Sequence, residues 1–232
     1  VTSFFIFLDA FQLLEDNWLS KLLRDSPSRK LRFWVTACST GEEAYSLAIL
    51  AMECMEKMGQ KYDIKIFATD IDDAAIVKAG SGIYPESITA DLSPNLLAKY
   101  FYRKDDNFFH VSRQIREMVV FAKHNLIKDP PFTQINLVSC RNLLIYLQPN
   151  LQKRVMELLN YSLIEDGILF LGTSESISDM TDCFETIDHK WKLYRSRGKR
   201  RMKTAFRSED SLFTPASGFR RTSIGQKQTV RL

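Results

Sequence analysis

The sequence contains no long hydrophobic run, and its cysteines and histidines are few and widely separated. No apolar stretch reaches the roughly 20 residues of a membrane-spanning helix, so no transmembrane segment is predicted, and no secretory signal is visible. The four cysteines include no C-x-x-C pair, and the three histidines are scattered, so the sequence has no local metal signature. We therefore expect reduced thiols, no bound metal and a cytoplasmic location.

Positive charge is concentrated at the end of the chain. The formal net charge is +4, yet from Arg195 onward eleven lysines and arginines accompany only Glu209 and Asp210. The rest is therefore mildly acidic, and residues 198–232 are predicted to form a basic, disordered tail or linker after a folded domain of residues 1–197. A solvated linker is the favoured interpretation, so no specific nucleic-acid partner is predicted. The sequence begins at Val1, as expected of a piece of a longer protein.

Segments of strand and helix character alternate along most of the chain. Strands are predicted at 33–37, 64–68, 118–122, 135–139 and 168–171, and helices at 7–24, 42–58, 74–79 and 151–163. This alternation predicts an α/β fold with a mostly parallel, doubly wound sheet. Two apolar segments at 184–187 and 191–194 predict a closing hairpin. The polar and aromatic stretch at about 81–117 breaks the rhythm and predicts a small inserted subdomain.

Small and acidic residues follow the first predicted strand. Ser39, Thr40 and Gly41 let a ligand approach the backbone closely, and either Ser39 or Thr40 can cap the helix that begins at Glu42. Glu42 and Glu43 would repel a pyrophosphate and favour an ammonium or sulfonium group, which argues against NAD and ATP. An equally compatible interpretation is that both acids only complement the helix dipole.

An acid also ends the second predicted strand. Asp70 stands where a carboxylate can accept hydrogen bonds from both ribose hydroxyls of an adenosine. The alternative is a helix cap, for which either Asp70 or Asp72 is suitable. Because acids follow both of the first two strands, an adenosyl ligand is the favoured interpretation.

Six short segments stand in a characteristic order and spacing between about residue 1 and residue 197. They are ACSTGEEAYS at 37–46, ATDID at 68–72, SGIY at 81–84, NL at 125–126, CRNLLIY at 140–146 and LGTSES at 171–176. Together they resemble the chemotaxis receptor (glutamate O-) methyltransferases, which usually have Pro in place of Ala44. VSC at 138–140 and KW at 190–191 are most similar to the branch in which this domain is fused to a methylesterase and other signalling domains.

The resemblance implies a Rossmann-like class I methyltransferase that uses S-adenosylmethionine, yields S-adenosylhomocysteine and methylates glutamate side chains of a chemoreceptor-like protein. The implied cofactor-binding residues are Thr2, Ala37, Ser39, Glu42, Glu43, Asp70, Asn125, Leu126, Cys140, Arg141 and Asn142. Tyr146 and Arg141 are implied as catalytic. Tyr146 would lie near the transferred methyl group, although packing on the core is an alternative. His124 is expected to be a hydrogen-bonded structural histidine, and Cys38 and Cys140 are expected to lie close together.

The clearest departure from the family is Ile6. The family pattern has arginine at this position, near the methyl-transfer site, whereas this chain reads TSFFIF at 2–7. Isoleucine cannot pair with a carboxylate, so either another cation takes this place, with Arg141 the nearest candidate, or activity is reduced. Because Arg141 has a role of its own, weak turnover is predicted. The sequence also lacks the helical domain that precedes this region in the family. A non-catalytic module that binds the cofactor or its product within a larger signalling protein is therefore the alternative function.

The inserted segment resembles the family's β-subdomain. This resemblance implies that it docks a partner peptide by strand addition, since an exposed sheet edge can accept an extended chain. The alternative is a stabilising flap that binds no partner.

Overall fold

The computed structural model describes residues 2–105, 107–177 and 179–198. A seven-stranded sheet forms its centre, in the order β6-β2-β1-β7-β8-β10-β9. Its strands are β1 (Lys30–Thr36), β2 (Asp63–Asp70), β6 (Val119–Lys123), β7 (Ile135–Cys140), β8 (Leu163–Leu171), β9 (Phe184–Asp188) and β10 (Leu193–Ser196). All pairs from β6 to β8 are parallel, and β10 pairs antiparallel with β8 and β9. The doubly wound sheet and its closing hairpin are thus confirmed.

Helical segments cover both faces of this sheet. They are α1 (Leu8–Leu13), a π-helical segment (Leu14–Leu19), α2 (Ser20–Arg24), α3 (Glu42–Met58), α4 (Asp73–Ser81) and α7 (Pro149–Ser162). Successive side chains of β1 point to opposite faces of the sheet. Phe33 and Val35 pack in the hydrophobic cluster that contains α3. Trp34, between them, packs in the cluster that contains α7. The sheet therefore separates two hydrophobic cores, as expected for this architecture.

The inserted segment forms a small antiparallel sheet of its own, in the order β3-β5-β4. Its elements are β3 (Ile83–Pro85), a 3-10 helix (Glu86–Ala90), α5 (Pro94–Tyr100), β4 (Phe101–Asp105), β5 (Phe108–Val111) and α6 (Arg113–Arg116). Tyr84, Tyr100 and Phe101 belong to the same hydrophobic cluster as α3. The insert therefore packs on the main domain through aromatic side chains, and the predicted β-subdomain is confirmed.

Three local predictions are wrong. The N-cap of α3 is Gly41 at φ 93°, without a side-chain cap, because the Thr40 hydroxyl instead donates to the Glu42 carboxylate. The strand predicted at 168–171 begins earlier, because β8 already starts at Leu163 and includes Asp166 at φ 61°. The first helix contains a π-helical middle segment rather than one regular helix.

Two further predictions concern the C-terminal tail and membrane-spanning helices. Apart from Gly198, the predicted basic tail lies outside the residues that the structure describes. Over the described ranges, no helix is long and apolar enough to cross a bilayer.

Candidate functional site

The ends of four parallel strands bring the predicted site residues to one edge of the sheet. Thr36 pairs in register with Thr69 on one side and with Cys140 on the other, and Cys140 pairs with Leu171. The loops that follow β1, β2, β7 and β8 therefore begin side by side. The carboxyl edge of a doubly wound sheet is where such folds bind ligands.

The loop after β1 has an unusual backbone conformation. Ala37, Ser39 and Gly41 all have positive φ, at 49°, 48° and 93°. A Cβ on Gly41 would lie 2.9 Å from the Ala79 Cβ, so only glycine fits where this loop crosses α4. The Ser39 N–H donates to Asp70 Oδ2 at 2.8 Å, which ties the loop to the end of β2.

A second group of contacts joins this loop to the N-terminal segment and to the insert. The Thr40 hydroxyl donates to the Glu42 carboxylate at 2.7 Å, and Thr2 Oγ1 lies 3.2 Å from Thr40 Oγ1. The Tyr84 hydroxyl of β3 donates to the Thr40 carbonyl oxygen at 2.7 Å. The structure thus brings Thr2 and Glu42 together, and Tyr84, which the sequence analysis did not select, holds the loop from the insert.

Glu43 lies between two donors from the β7 side. Ser139 Oγ donates to its Oε1 at 2.5 Å, and Arg141 Nη1 lies 3.4 Å from its Oε2. Burial raises the pKa of the Glu43 carboxyl above its ordinary value, while the Arg141 charge and the Ser139 hydroxyl oppose that shift. Ser139 was not selected from the sequence, because nothing local links it to a residue 96 positions away.

Arg141 is a buried partner of Glu43. Its side chain is only 2% exposed, and its Nη2 donates to the Ile6 carbonyl oxygen at 3.1 Å. The guanidinium carbon lies 4.5 Å from the Phe170 ring centroid and 5.4 Å from that of Phe11, a geometry typical of cation–π contacts. Arg141 therefore serves to pair with Glu43 and to anchor the N-terminal segment.

Asp70 and Asp72 have different partners, which settles the open question of the helix cap. Asp72 caps α4, because its carboxylate accepts from the N–H groups of Ala74 at 2.8 Å and Ala75 at 3.4 Å. Asp70 accepts from Ser39 and, through Oδ1, from the Asp72 N–H at 3.0 Å. Each Asp70 oxygen thus has one N–H donor and retains a lone pair for a further donor.

The acids of this edge are only partly neutralised. Arg141 pairs with Glu43, but in the part of the chain that the structure describes no lysine or arginine forms an ion pair with Glu42 or Asp70. Glu42 is nonetheless a buried residue. Two carboxylates without cations at the ligand-binding edge favour a ligand that carries positive charge.

Asn125 and Leu126 follow β6. Asn125 Oδ1 accepts from the N–H groups of Ile127 and Lys128 at 3.1 and 3.2 Å, so its side chain stabilises the turn. Leu126 packs against the hydrophobic cluster that contains α7. The His124 N–H donates to the Asp70 carbonyl oxygen at 2.9 Å, which places this turn beside the end of β2.

His124 is only partly the hydrogen-bonded histidine that was expected. Its Nε2 lies 3.1 Å from the Pro130 carbonyl oxygen, and its ring meets Trp34 edge-on at 5.6 Å. Its Nδ1 is buried without a hydrogen-bond partner among the described residues. The packing supports a structural role, with one ring nitrogen satisfied.

The β7 end carries Cys140, Asn142 and Tyr146. Cys140 is fully buried, and burial raises the pKa of its thiol to about 12. Asn142 is exposed and has φ 58°. Tyr146 ends a short 3-10 helix (Leu144–Tyr146) and is 79% exposed, so it does not pack on the core as the alternative suggested.

Cys38 and Cys140 are expected to lie close together, and the pairing of β1, which precedes Cys38, with β7, which ends at Cys140, confirms that the two strands are neighbours. All four cysteines are buried and form no disulfide. Within the described ranges, no group of three or more histidine, cysteine or acidic side chains is placed to hold a metal ion.

The sequence analysis did not select Glu175, although it lies in a segment that carries the resemblance. Its carboxylate is buried and accepts from the N–H groups of Leu144 at 2.6 Å, Gly172 at 2.7 Å and Asn142 at 3.1 Å. The only signal for Glu175 in the sequence was that an acid stands three residues after a glycine at the end of a predicted strand. Such a pattern is not specific by itself.

Comparison with known proteins gives consistent matches. The family described as CheR methyltransferase, SAM binding domain, matches residues 1–193. An uncharacterized 104.1 kDa protein in the hypE 3' region of Rhodobacter capsulatus is 38% identical over 84% of this chain and 21% of its own length. The chemotaxis protein methyltransferase of Borreliella burgdorferi is 34% identical over 76% of this chain and 64% of its own length. The one of Listeria monocytogenes is 34% identical over 78% and 67%.

The chain thus spans about a fifth of the first relative and about two thirds of the other two. The family match includes all the loops at the carboxyl ends of β1, β2, β7 and β8, where the candidate site lies. The chain therefore belongs to the CheR methyltransferase family and contains its S-adenosylmethionine-binding domain.

Proposed function

We propose that this chain binds S-adenosylmethionine at the carboxyl edge of the sheet and methylates glutamate side chains of a chemoreceptor-like protein. The observation that carries the proposal is the pair of carboxylates, Glu42 and Asp70, that form no ion pair with a lysine or arginine among the described residues. The bound cofactor would supply a methyl group on a sulfonium, together with an ammonium group and two ribose hydroxyls. The acids fit these groups better than they fit a pyrophosphate.

Separate residues would hold the separate parts of the cofactor. The lone pairs that remain on Asp70 can accept from the ribose hydroxyls, while Glu43, with Glu42 as the alternative and Thr2 beside it, faces the ammonium group. Leu126 supplies apolar surface for the adenine, and Asn125 fixes the turn that carries Leu126. Ala37 and Ser39, through their positive φ, shape the loop that faces the ligand. Cys140, Arg141 and Asn142 lie at the β7 side of this edge.

The acceptor chemistry requires no general base. A glutamate side chain is already ionised at neutral pH, with an ordinary pKa of about 4.3, so it is a competent nucleophile as it stands. The protein mainly has to align the acceptor with the methyl group, and alignment of this kind can contribute about 7–11 kcal/mol. The exposed Tyr146 is the side chain of the β7 end that we assign to this alignment.

Partner binding is assigned to the inserted subdomain. Its outer strand β4 lies at an edge of the small sheet, and Tyr102 of that strand is exposed. An extended peptide of the acceptor can add to this edge by main-chain hydrogen bonds. The Tyr102→Ala variant should raise KM for a receptor fragment while its affinity for S-adenosylhomocysteine is unchanged.

The domain is inferred to act in the cytoplasm and as part of a longer signalling protein. Two relatives are named chemotaxis protein methyltransferases, and the Rhodobacter relative is about five times longer than the segment that it shares with this chain. We assign the methyltransferase domain to residues 1–197 and a linker to residues 198–232. A fused methylesterase is compatible with this arrangement.

Calorimetry with S-adenosylmethionine and S-adenosylhomocysteine tests the cofactor site. Asp70→Ala should weaken binding by roughly 1.5–3 kcal/mol, because it removes hydrogen bonds to a charged group. Asp63→Ala is the matched control, because Asp63 is exposed at the opposite end of the same strand. Unchanged affinity in both Asp70→Ala and Glu43→Gln would refute the site. Binding without any methyl transfer to receptor fragments would favour the non-catalytic module.

A further inference from the structure

The turn that follows β7, defined here as residues 142–146, is held from one side by a single carboxylate. Glu175 Oε1 accepts from the Leu144 N–H at 2.6 Å. Its Oε2 accepts from the Gly172 N–H at 2.7 Å and from the Asn142 N–H at 3.1 Å. One side chain from the end of β8 thus binds two N–H groups of the turn and one of its own loop.

The carbonyl groups of this region are held by an amide. Gln152 of α7 donates through Nε2 to the carbonyl oxygens of Leu144 and Leu147, both at 2.9 Å. The carboxylate therefore binds N–H groups of the turn, and the amide binds carbonyl groups at and just beyond its end. A backbone segment with partners of both kinds is fixed in one conformation.

Glu175 is a buried carboxylate and therefore depends on its hydrogen-bond donors. The residue is only 4% exposed, and over the described ranges no lysine or arginine forms an ion pair with it. Its three N–H donors therefore compensate for the water that the carboxylate has lost, and such bonds to a charged acceptor are stronger than neutral ones. If the turn moved, a buried carboxylate would lose its donors.

Gly172 lies against Glu175 and Asn142 without space for a side chain. A Cβ added to Gly172 would lie 2.7 Å from both Glu175 Oε2 and Asn142 Oδ1, and 2.9 Å from the Asn142 nitrogen. Glycine at this position lets the β7 and β8 loops approach until one carboxylate reaches both.

We propose that Glu175 is a positioning residue for methyl transfer, which fixes the turn that presents Tyr146 at the edge of the sheet. The turn also carries Asn142 at its start, so its start and its middle are bound to the same carboxylate. The proposal rests on the proposed function, because it gives Tyr146 its role. Glu175 acts through the turn and does not touch the reacting atoms.

The kinetic test compares Glu175→Gln with Glu165→Gln, an exposed carboxylate on β8. The glutamine keeps one acceptor oxygen but turns an NH₂ group toward backbone donors. We expect kcat to fall by about 100-fold, the order expected for a misplacement of about 1 Å, with KM for the acceptor and affinity for S-adenosylhomocysteine within a few-fold. The control should change neither. A lowered cofactor affinity with unchanged kcat would overturn the proposal.

A double-mutant cycle separates positioning from general destabilisation. In a Tyr146→Phe background, Glu175→Gln should lower kcat little further, because the group that it positions has already been changed. Losses that multiply would show that Glu175 acts independently of Tyr146. Far-ultraviolet circular dichroism and thermal melting establish that each variant is folded.

Amide hydrogen exchange tests the same assignment without any turnover. Residues 142–146 should exchange faster in Glu175→Gln than in the unmodified chain, while the amides of β1 remain protected. Unchanged protection of the turn would reject the positioning role even if the chain methylates efficiently. Conversely, if the turn exchanges faster as expected while the chain binds no cofactor, that result would count against the proposed function alone.

Discussion

The charge of Glu43 depends on residues from two other parts of the chain. Ser139 and Arg141 stabilise the ionised carboxylate, yet burial outweighs them and raises the pKa of Glu43. Protonation therefore removes the negative charge at a higher pH than it does for an ordinary glutamate. If this carboxylate binds the ammonium group of the ligand, its protonation must weaken binding.

Cofactor affinity should therefore fall on mild acidification. Between about pH 8 and about pH 5, the affinity for S-adenosylhomocysteine should drop at least about tenfold, because a charge-assisted hydrogen bond is lost. Calorimetry over this range measures the effect. Glu43→Gln carries no titrating group at this position, so its profile should be flatter. Parallel profiles for the two proteins would contradict the role of Glu43.

Arg141 cannot take the place of the arginine that the family has at position 6, where this chain has isoleucine. The Arg141 guanidinium is buried, contacts Phe170 and binds Glu43 and the Ile6 carbonyl oxygen. Removing it from these partners would leave the largely buried Glu43 carboxylate without its cationic partner. Arg141 therefore does not supply the acceptor-positioning cation that the family resemblance implies at position 6.

Restoring that cation should raise turnover. Ile6→Arg is expected to increase kcat on a receptor fragment, with little change in the affinity for S-adenosylhomocysteine, because a guanidinium can orient the acceptor carboxylate. Ile6→Leu keeps the apolar character and should have no such effect. If the unmodified chain already turns over at about 1 per second or faster, no positioning group is missing.

At the scale of elements, Tyr84 connects the insert to the loop after β1. This side chain is buried, with its ring against Phe4 at 4.9 Å, and burial raises the pKa of its hydroxyl well above its usual range. The hydroxyl therefore stays protonated and donates to the Thr40 carbonyl oxygen. Tyr84 therefore links β3 of the insert directly to the loop after β1.

Removing this one hydroxyl should loosen the loop. Tyr84→Phe is expected to lower the free energy of unfolding by about 1 kcal/mol, the net value of a typical hydrogen bond, and to weaken S-adenosylhomocysteine binding several-fold. Tyr62→Phe is the control, because the Tyr62 hydroxyl bonds to Gln60 on the exposed surface. Denaturant melts and calorimetry on both variants give the comparison. Equal effects in the two variants would exclude a specific link.

Elements with strong periodicity and clear end signals were predictable from the sequence. Helix α3 was predicted at 42–58 and lies at Glu42–Met58, because its apolar stripe is continuous and Gly59 provides the left-handed C-cap. The start of β8 was missed, since Asp166 and Gly167 are typical turn residues but here continue the strand past a register shift. The pairing with β7 outweighs the local preference at that point.

The candidate site was predictable to the extent that it is local. Asp70 ends β2, Glu42 and Glu43 begin α3 after the short loop that follows β1, and the order of strands brings them to one edge. The contacts of Glu175 with residues 142 and 144, and of Ser139 with Glu43, join segments 31 to 96 residues apart. No pattern in one sequence encodes such pairs, because they depend on how the loops pack.

At the scale of the whole molecule, the ligand edge lies where both hydrophobic cores meet the ends of the same strands. Alternate side chains of β1 enter the two cores, and the loops after β1, β2, β7 and β8 are mutually hydrogen-bonded or adjacent in register. A ligand that contacts several of these loops binds only when the sheet is assembled. Binding should therefore stabilise the entire domain against unfolding.

Thermal melting with different ligands tests this coupling and the ligand class together. At 100 times its Kd, S-adenosylhomocysteine should add about 2.7 kcal/mol to the free energy of unfolding, which for a chain of this size raises Tm by about 5–10 °C. NAD and ATP at the same concentration should leave Tm unchanged, because Glu42 and Asp70 repel their phosphates. Asp70→Ala should need a higher concentration of S-adenosylhomocysteine for the same shift, whereas Asp63→Ala should not. A comparable rise with ATP would show that the acids do not select for positive charge, and the assignment of this edge to an adenosyl sulfonium would be wrong.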